Sequence, residues 1–106
     1  MIISTGNDLP GYEIEEVFGE VFGLTVRSRN LGVQFGAFFK SWVGGDLRGI
    51  TKLLIAGRRD ATERLVAEAE AKGANAVIAF RFDTSALGAM GTEICAYGTA
   101  VRARAL

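Results

Sequence analysis

Residues 72–83 read Lys72-Gly73-Ala74-Asn75-Ala76-Val77-Ile78-Ala79-Phe80-Arg81-Phe82-Asp83, and two periodicities meet in them. Upstream, Ile50, Leu54, Gly57, Ala61, Leu65 and Ala69 recur at three- and four-residue spacing. That is the stripe of one helix face. From Ala74 onward the pattern alternates. Ile78, Phe80 and Phe82 point one way, and Val77, Ala79, Arg81 and Asp83 the other, as in a strand. Gly73 stands where a helix takes its left-handed C-cap. The sequence therefore predicts a helix over residues 50–72 that stops at Gly73 and feeds a strand over 74–83.

The helical stripe is built mostly of small residues, so the helix can lie close on what it covers. Gly57 costs about 1 kcal/mol relative to Ala inside a helix, and close approach accounts for it. Asp60 with Arg64 and Glu68 with Lys72 are spaced i,i+4 with the acid first, the favourable order. These charges describe a solvated face.

Toward the N terminus, Ile2-Ile3-Ser4-Thr5 reads as a short first strand. Asn7-Asp8-Leu9-Pro10-Gly11 is turn chemistry: Pro10 presets its φ, and Gly11 accepts the positive φ of a type II turn. Residues 12–26 favour strand. Val17, Gly19, Val21, Gly23 and Thr25 share one face; Phe18, Glu20, Phe22, Leu24 and Val26 share the other. The tandem Glu-Val-Phe-Gly at 16–19 and 20–23 is too short for a repeat fold. It does place Gly19 and Gly23 where another backbone can approach. Asn30 is a candidate cap for a short helix carrying Phe35, Phe38, Phe39, Trp42 and Val43, an apolar stripe fit for core or for a subunit interface. Gly44-Gly45-Asp46-Leu47-Arg48-Gly49 then breaks the chain.

Residues 84–91 read as a loop. In residues 92–101, Ile94, Ala96, Gly98 and Ala100 share a face opposite Glu93, Cys95, Tyr97, Thr99 and Val101. The expected class is α+β, an antiparallel sheet with one long helix across its more apolar face.

A chain of 106 residues is one domain, here residues 1–106. With 49% hydrophobic residues it carries more apolar surface than a small monomer easily buries, which favours a homo-oligomer. Twelve basic residues balance twelve acidic ones, so no global field draws a nucleic acid or an anionic membrane. One cysteine forms no internal disulfide. Nothing at Met1-Ile2-Ile3-Ser4-Thr5 resembles a signal peptide, and no apolar run reaches a membrane span of about 18 residues. The expected location is the cytoplasm.

Several segments together resemble the YbjQ family, also called UPF0145 or the "putative heavy-metal-binding" domain. They are Ile3-Ser4-Thr5, Gly19-Glu20-Val21, Val43-Gly44-Gly45, Lys72-Gly73-Ala74-Asn75-Ala76-Val77, and Gly98-Thr99-Ala100-Val101, in that order. The resemblance covers essentially the whole chain and is strongest in Gly-Ala-Asn-Ala and Gly-Thr-Ala-Val. It implies a dodecin-like α+β subunit assembled into a closed homopentamer, and no known reaction. Two positions depart from the family's common pattern. An aromatic–acidic pair often found after the glycine loop is Ile50-Thr51 here, and an acidic position in the late strand is Arg81.

The chemistry on offer is sparse. Borderline metals such as zinc take Cys and His in groups, and this chain has one Cys and no His. Cys95 shares a strand face with Glu93, and Asp83 is expected on the neighbouring strand. These three are the weak metal candidates, and only symmetry would multiply them into a site. A nucleophilic Cys95 needs a base or a cation beside it, for which Arg81 is the candidate. The default for Cys95 is a small apolar residue in a strand.

Residues 44–51 approach a phosphate-binding loop, but Ile50 replaces the required lysine and Asp46 adds negative charge. Of Glu13, Glu15 and Glu16, alternation sets Glu16 opposite the others, so they form a solvated edge. Arg27, Arg29 and Lys40 make a small basic patch in a neutral protein. We expect a non-enzymatic oligomeric binding or scaffold module without cofactor, self-associating and binding neither nucleic acid nor membrane. The alternative is a metal or small-molecule site completed by several subunits.

Overall fold

The computed structural model describes residues 1–27, 48–87 and 91–106, with backbone alone for 48–50. The expected aromatic helix with Phe35, Phe38, Phe39 and Trp42 lies outside the described residues, as do Asn30, Arg29, Lys40 and residues 44–47. Among the described residues, four strands and one helix follow in the order β1 (Ile2–Ile3), β2 (Tyr12–Arg27), α1 (Arg48–Ala71), β3 (Ala76–Ala86) and β4 (Thr92–Ala105). The strands form one sheet in the order β1-β3-β4-β2. β4 is antiparallel to both neighbours. β1 runs parallel to β3, pairing Ile2 with Ala76 and Ile3 with Val77, so the sheet is mixed rather than wholly antiparallel. The expected ends fall short of these: β3 continues through Thr84, Ser85 and Ala86, assigned to a loop from sequence, and β4 runs on to Ala105.

The junction at residues 72–76 works as its residue types dictate. Gly73 has φ +89° and closes a Schellman cap, with Gly73 N–H donating to Glu70 C=O and Ala74 N–H to Ala69 C=O. Ala74 is buried against the helix. Asn75 then mimics a peptide unit: its Nδ2 donates to Ala103 C=O and its Oδ1 accepts from Ala103 N–H, each at 2.8 Å. The chain therefore enters the sheet already registered against β4. At the other turn, Tyr12 N–H donates to Leu9 C=O across Pro10 and Gly11, with Gly11 at φ +87°, as a type II turn requires.

The helix packs on one sheet face. Ala61, Leu65 and Ala69 join Val21, Val77, Ile94, Ala96 and Ala100 in the main core, flanked by Phe18, Val66, Phe80 and Phe82. Leu54, expected in the same stripe, is exposed. Close approach explains Gly23: a Cβ there would lie 2.1 Å from Ala61 O. Gly19 meets nothing and serves a different purpose, a bulge at φ +99°. Arg58 lies over the Phe82 ring at 4.9 Å, and Phe80 and Phe82 meet edge to face.

Of three bulges in the sheet, between Ile14 and Glu16, Val17 and Gly19, and Ile78 and Arg81, the last two overturn parts of the expected core facing. Between Val17 and Gly19, β2 carries one extra residue, so Phe18 joins Val21 on the helix side and Val17 turns away. Between Ile78 and Arg81, β3 does the same, with Ala79 at φ +53°. Val77, Phe80 and Phe82 therefore face the helix together, while Ile78 turns to the opposite face with Arg81 and Asp83. Gly98 permits that bulge, because a Cβ there would sit 2.7 Å from Val77 Cγ1 and 3.0 Å from Ile78 O.

Among the described residues, the second face is covered at one end. Leu9, from the Pro10-Gly11 turn, packs with Ala76, Ile78 and Val101 and is flanked by Tyr12, Ile14 and Ala103. Val77 and Val101 are thus both buried, on opposite sides of the sheet.

Candidate functional site

Among the described residues no helix covers the remaining half of the second face, and strand register fixes its rows. Phe22, Tyr97 and Arg81 lie side by side, then Leu24, Cys95 and Asp83, then Val26, Glu93 and Ser85. Neighbours in a row sit about 5 Å apart and rows about 7 Å apart. Phe22 is 45% exposed, Leu24 40%, Val26 53% and Tyr97 38%. Four large apolar side chains thus form one contiguous exposed patch, with Asp83 and Glu93 along its side. Sequence alternation grouped Phe22, Leu24 and Val26 on one face but did not identify that face as the open one. The missing signal was pairing: only the β2–β4 register sets them beside Cys95 and Tyr97.

Helix and strand are locked behind this patch. Arg27 at the end of β2 pairs with Asp60, and Arg64 donates to Leu24 C=O. The expected Asp60–Arg64 pair is therefore replaced by two bonds from helix to sheet. Glu68 and Lys72 do pair, at 3.8 Å, and Lys72 also reaches Glu20 C=O.

Cys95 is half-buried at the centre of the patch, its Sγ 3.8 Å from Ala96 O. Burial pushes its thiol pKa up, and the negative charges of Glu93, Asp83 and Glu20 push it further. A nucleophile or a metal ligand must be a thiolate, so each of these influences works against both roles. Arg81, the expected cationic partner, instead donates to Thr5 C=O at 2.7 Å and Phe80 C=O at 2.9 Å. Asp83 is the direct cross-strand neighbour of Cys95 and Glu93 shares the face. Yet among the described residues no three His, Cys, Asp or Glu side chains converge to hold a metal ion. A thiol held toward its neutral form and two carboxylates that form no ligand group with it among the described residues do not fit a heavy metal within one subunit.

Among the described residues, the remaining acidic candidates have structural partners. Glu13 and Glu15 both bond Arg104 on the exposed edge formed by β2 and β4, and Glu16 lies across from Arg102. No helix among the described residues is long and apolar enough to cross a membrane.

Comparison with known proteins agrees with this fold. A family model described as "Putative heavy-metal-binding" (YbjQ) matches residues 1–104. A UPF0145 protein of Streptomyces coelicolor is 62% identical over 101 residues, covering 95% of each chain. A UPF0145 protein of Mycobacteroides abscessus is 64% identical over 101 residues, covering 95% of this chain and 94% of the other. Among solved structures, a protein of unknown function from Pediococcus pentosaceus, assigned to the DUF74 family, superposes with a TM-score of 0.53 at 18% identity, covering 98% of each chain. The last similarity speaks to the fold alone. With a whole-chain family match and relatives above 60% identity, the chain belongs to the YbjQ family, the UPF0145 proteins.

Proposed function

We propose that the protein works as a non-enzymatic homo-oligomer, a binding or scaffold module whose subunits associate through the open sheet face. The observation that carries this reading is the contiguous patch of Phe22, Leu24, Val26 and Tyr97 on a face the helix does not cover. Soluble monomers rarely leave such a patch in water. The family resemblance adds the number, a closed pentamer of dodecin-like subunits, and the N-terminal sequence adds the cytoplasm as its place. Glu13 and Glu15, the clustered acids of β2, are both held by Arg104 as a structural ion-pair network. A metal or small-molecule site completed by several subunits is the second reading. It rests on Asp83 facing Cys95 across the strands, and the raised thiol weighs against it for metals.

Native mass spectrometry of protein purified without added metal tests this reading. It predicts an oligomer whose mass is a whole multiple of the apo chain. A monomer, or a metal adduct in fixed proportion to subunits, contradicts it.

A further inference from the structure

We infer that Arg64 and Lys72 of α1 close the outer edge of β2 to strand addition, by occupying two backbone carbonyls that an incoming strand would need. The device belongs to the edge of the sheet, not to its open face, and works the same in any number of subunits.

In the order β1-β3-β4-β2 the sheet ends on β2, and among the described residues no strand pairs with its outer side. The two halves of this strand differ. Bulges at Ile14/Glu16 and Val17/Gly19 bend the first half, which also carries Glu13, Glu15 and Glu16. Bulges and charges of this kind keep an edge from pairing. From Gly19 to Arg27 the register with β4 is unbroken. That stretch holds Val21, Phe22, Leu24, Thr25 and Val26, apolar or β-branched, with Glu20 as its one acid. A regular apolar edge is where strands add. The opposite edge, β1, is only 2 residues long and offers no such template.

It is over this regular half that α1 lies. One flank of the helix faces β3, where Arg58 covers the Phe82 ring. The other flank overhangs the free edge of β2 and runs antiparallel to it. There Asp60 pairs with Arg27, Arg64 donates to Leu24 C=O, and Lys72 donates to Glu20 C=O at 3.2 Å. Backbone groups alternate between the two edges of a strand, so Glu20 and Leu24 present theirs to the same side. The spacings agree. From Arg64 to Lys72 is about 12 Å of helix, and from Glu20 to Leu24 about 13 Å of strand. Glu68, 3.8 Å from Lys72 Nζ, steadies the lysine. An incoming strand must reach these carbonyls with its own N–H groups. Each is already held by a cation, and a charge-assisted bond is stronger than the neutral one that would replace it.

Strand addition is read directly with a synthetic peptide of residues 19–27, labelled at its N terminus and N-methylated at alternate amides so that it pairs along one edge. Arg64→Met with Lys72→Met keeps the reach of both stems and removes both donors; circular dichroism and urea unfolding check its fold. By fluorescence anisotropy this donor-free pair should bind the peptide about tenfold more tightly than the wild type, since two occupied acceptors are set free. Arg64→Lys with Lys72→Arg retains two donors and should behave as the wild type. Equal peptide binding by the wild type and the donor-free pair overturns the assignment. So does an exchanged pair that binds the peptide as tightly as the donor-free one, which would trace the effect to packing. Should the donor-free pair fail to fold, Lys72→Met alone, at the exposed end of the helix, is read by the same outcomes.

Discussion

Gly23 of β2 lies so close under α1 that an added Cβ would stand 2.1 Å from the Ala61 carbonyl oxygen and 2.6 Å from the Leu65 nitrogen. Those are backbone atoms and cannot swing aside. Gly23→Ala must push the whole helix from the sheet, and the expected loss is about 3 kcal/mol, at the upper end of overpacking effects. Urea unfolding measures it. A loss below about 1 kcal/mol would show that the helix rides higher than described.

Gly57 offers a contrast on the helix itself. A Cβ there would meet Ile94 Cδ1 at 2.5 Å, the far end of a flexible side chain. Alanine also gains about 1 kcal/mol of helix propensity. Gly57→Ala should therefore lie near neutrality, at most about 1 kcal/mol from wild type, in the same unfolding assay.

The Arg27–Asp60 pair ties the end of β2 to the helix and is only partly shielded from water. A double-mutant cycle with Arg27→Ala and Asp60→Ala should give a coupling of about 1 kcal/mol, falling as salt is added. A coupling insensitive to salt would contradict the partial exposure of both groups.

Cys95 carries a raised pKa, first from burial and then from Glu93, Asp83 and Glu20. Folding therefore favours its protonated form. The sign follows: that stabilisation is complete below the thiol pKa of the unfolded chain and is lost as pH rises through the higher folded value. Ultraviolet titration of thiolate absorbance should show the native step at higher pH than the urea-unfolded step. Glu93→Gln should bring it down. A native step below the unfolded one would contradict the electrostatics.

Zinc, copper or nickel should not bind one per subunit at sub-micromolar affinity, because Cys95, Asp83 and Glu93 share a face without converging. Calorimetry checks this. Tight binding abolished by Cys95→Ser would restore the metal reading.

Much of the fold was legible in residue types with a single physical meaning. Gly73 ended the helix, Pro10-Gly11 made its turn, and Ile94, Ala96, Gly98 and Ala100 faced the helix as alternation required. What escaped was phase. Ala79 takes φ +53°, a conformation no alanine advertises, and every residue after it in β3 changes face. Gly19 takes φ +99° in a strand where glycine was expected for close approach. The open patch was hidden for the same reason. Its residues come from β2 and β4, and their adjacency depends on register across a bulge.

Sedimentation equilibrium of the wild type beside Leu24→Glu, at micromolar concentration and physiological salt, tests the central claim most directly. The claim is that the sheet face opposite α1 is an association surface. It predicts an oligomer for the wild type and a folded particle of 11.3 kDa for the variant. A wild type that itself sediments at 11.3 kDa, or a variant that keeps the full assembly, would contradict it.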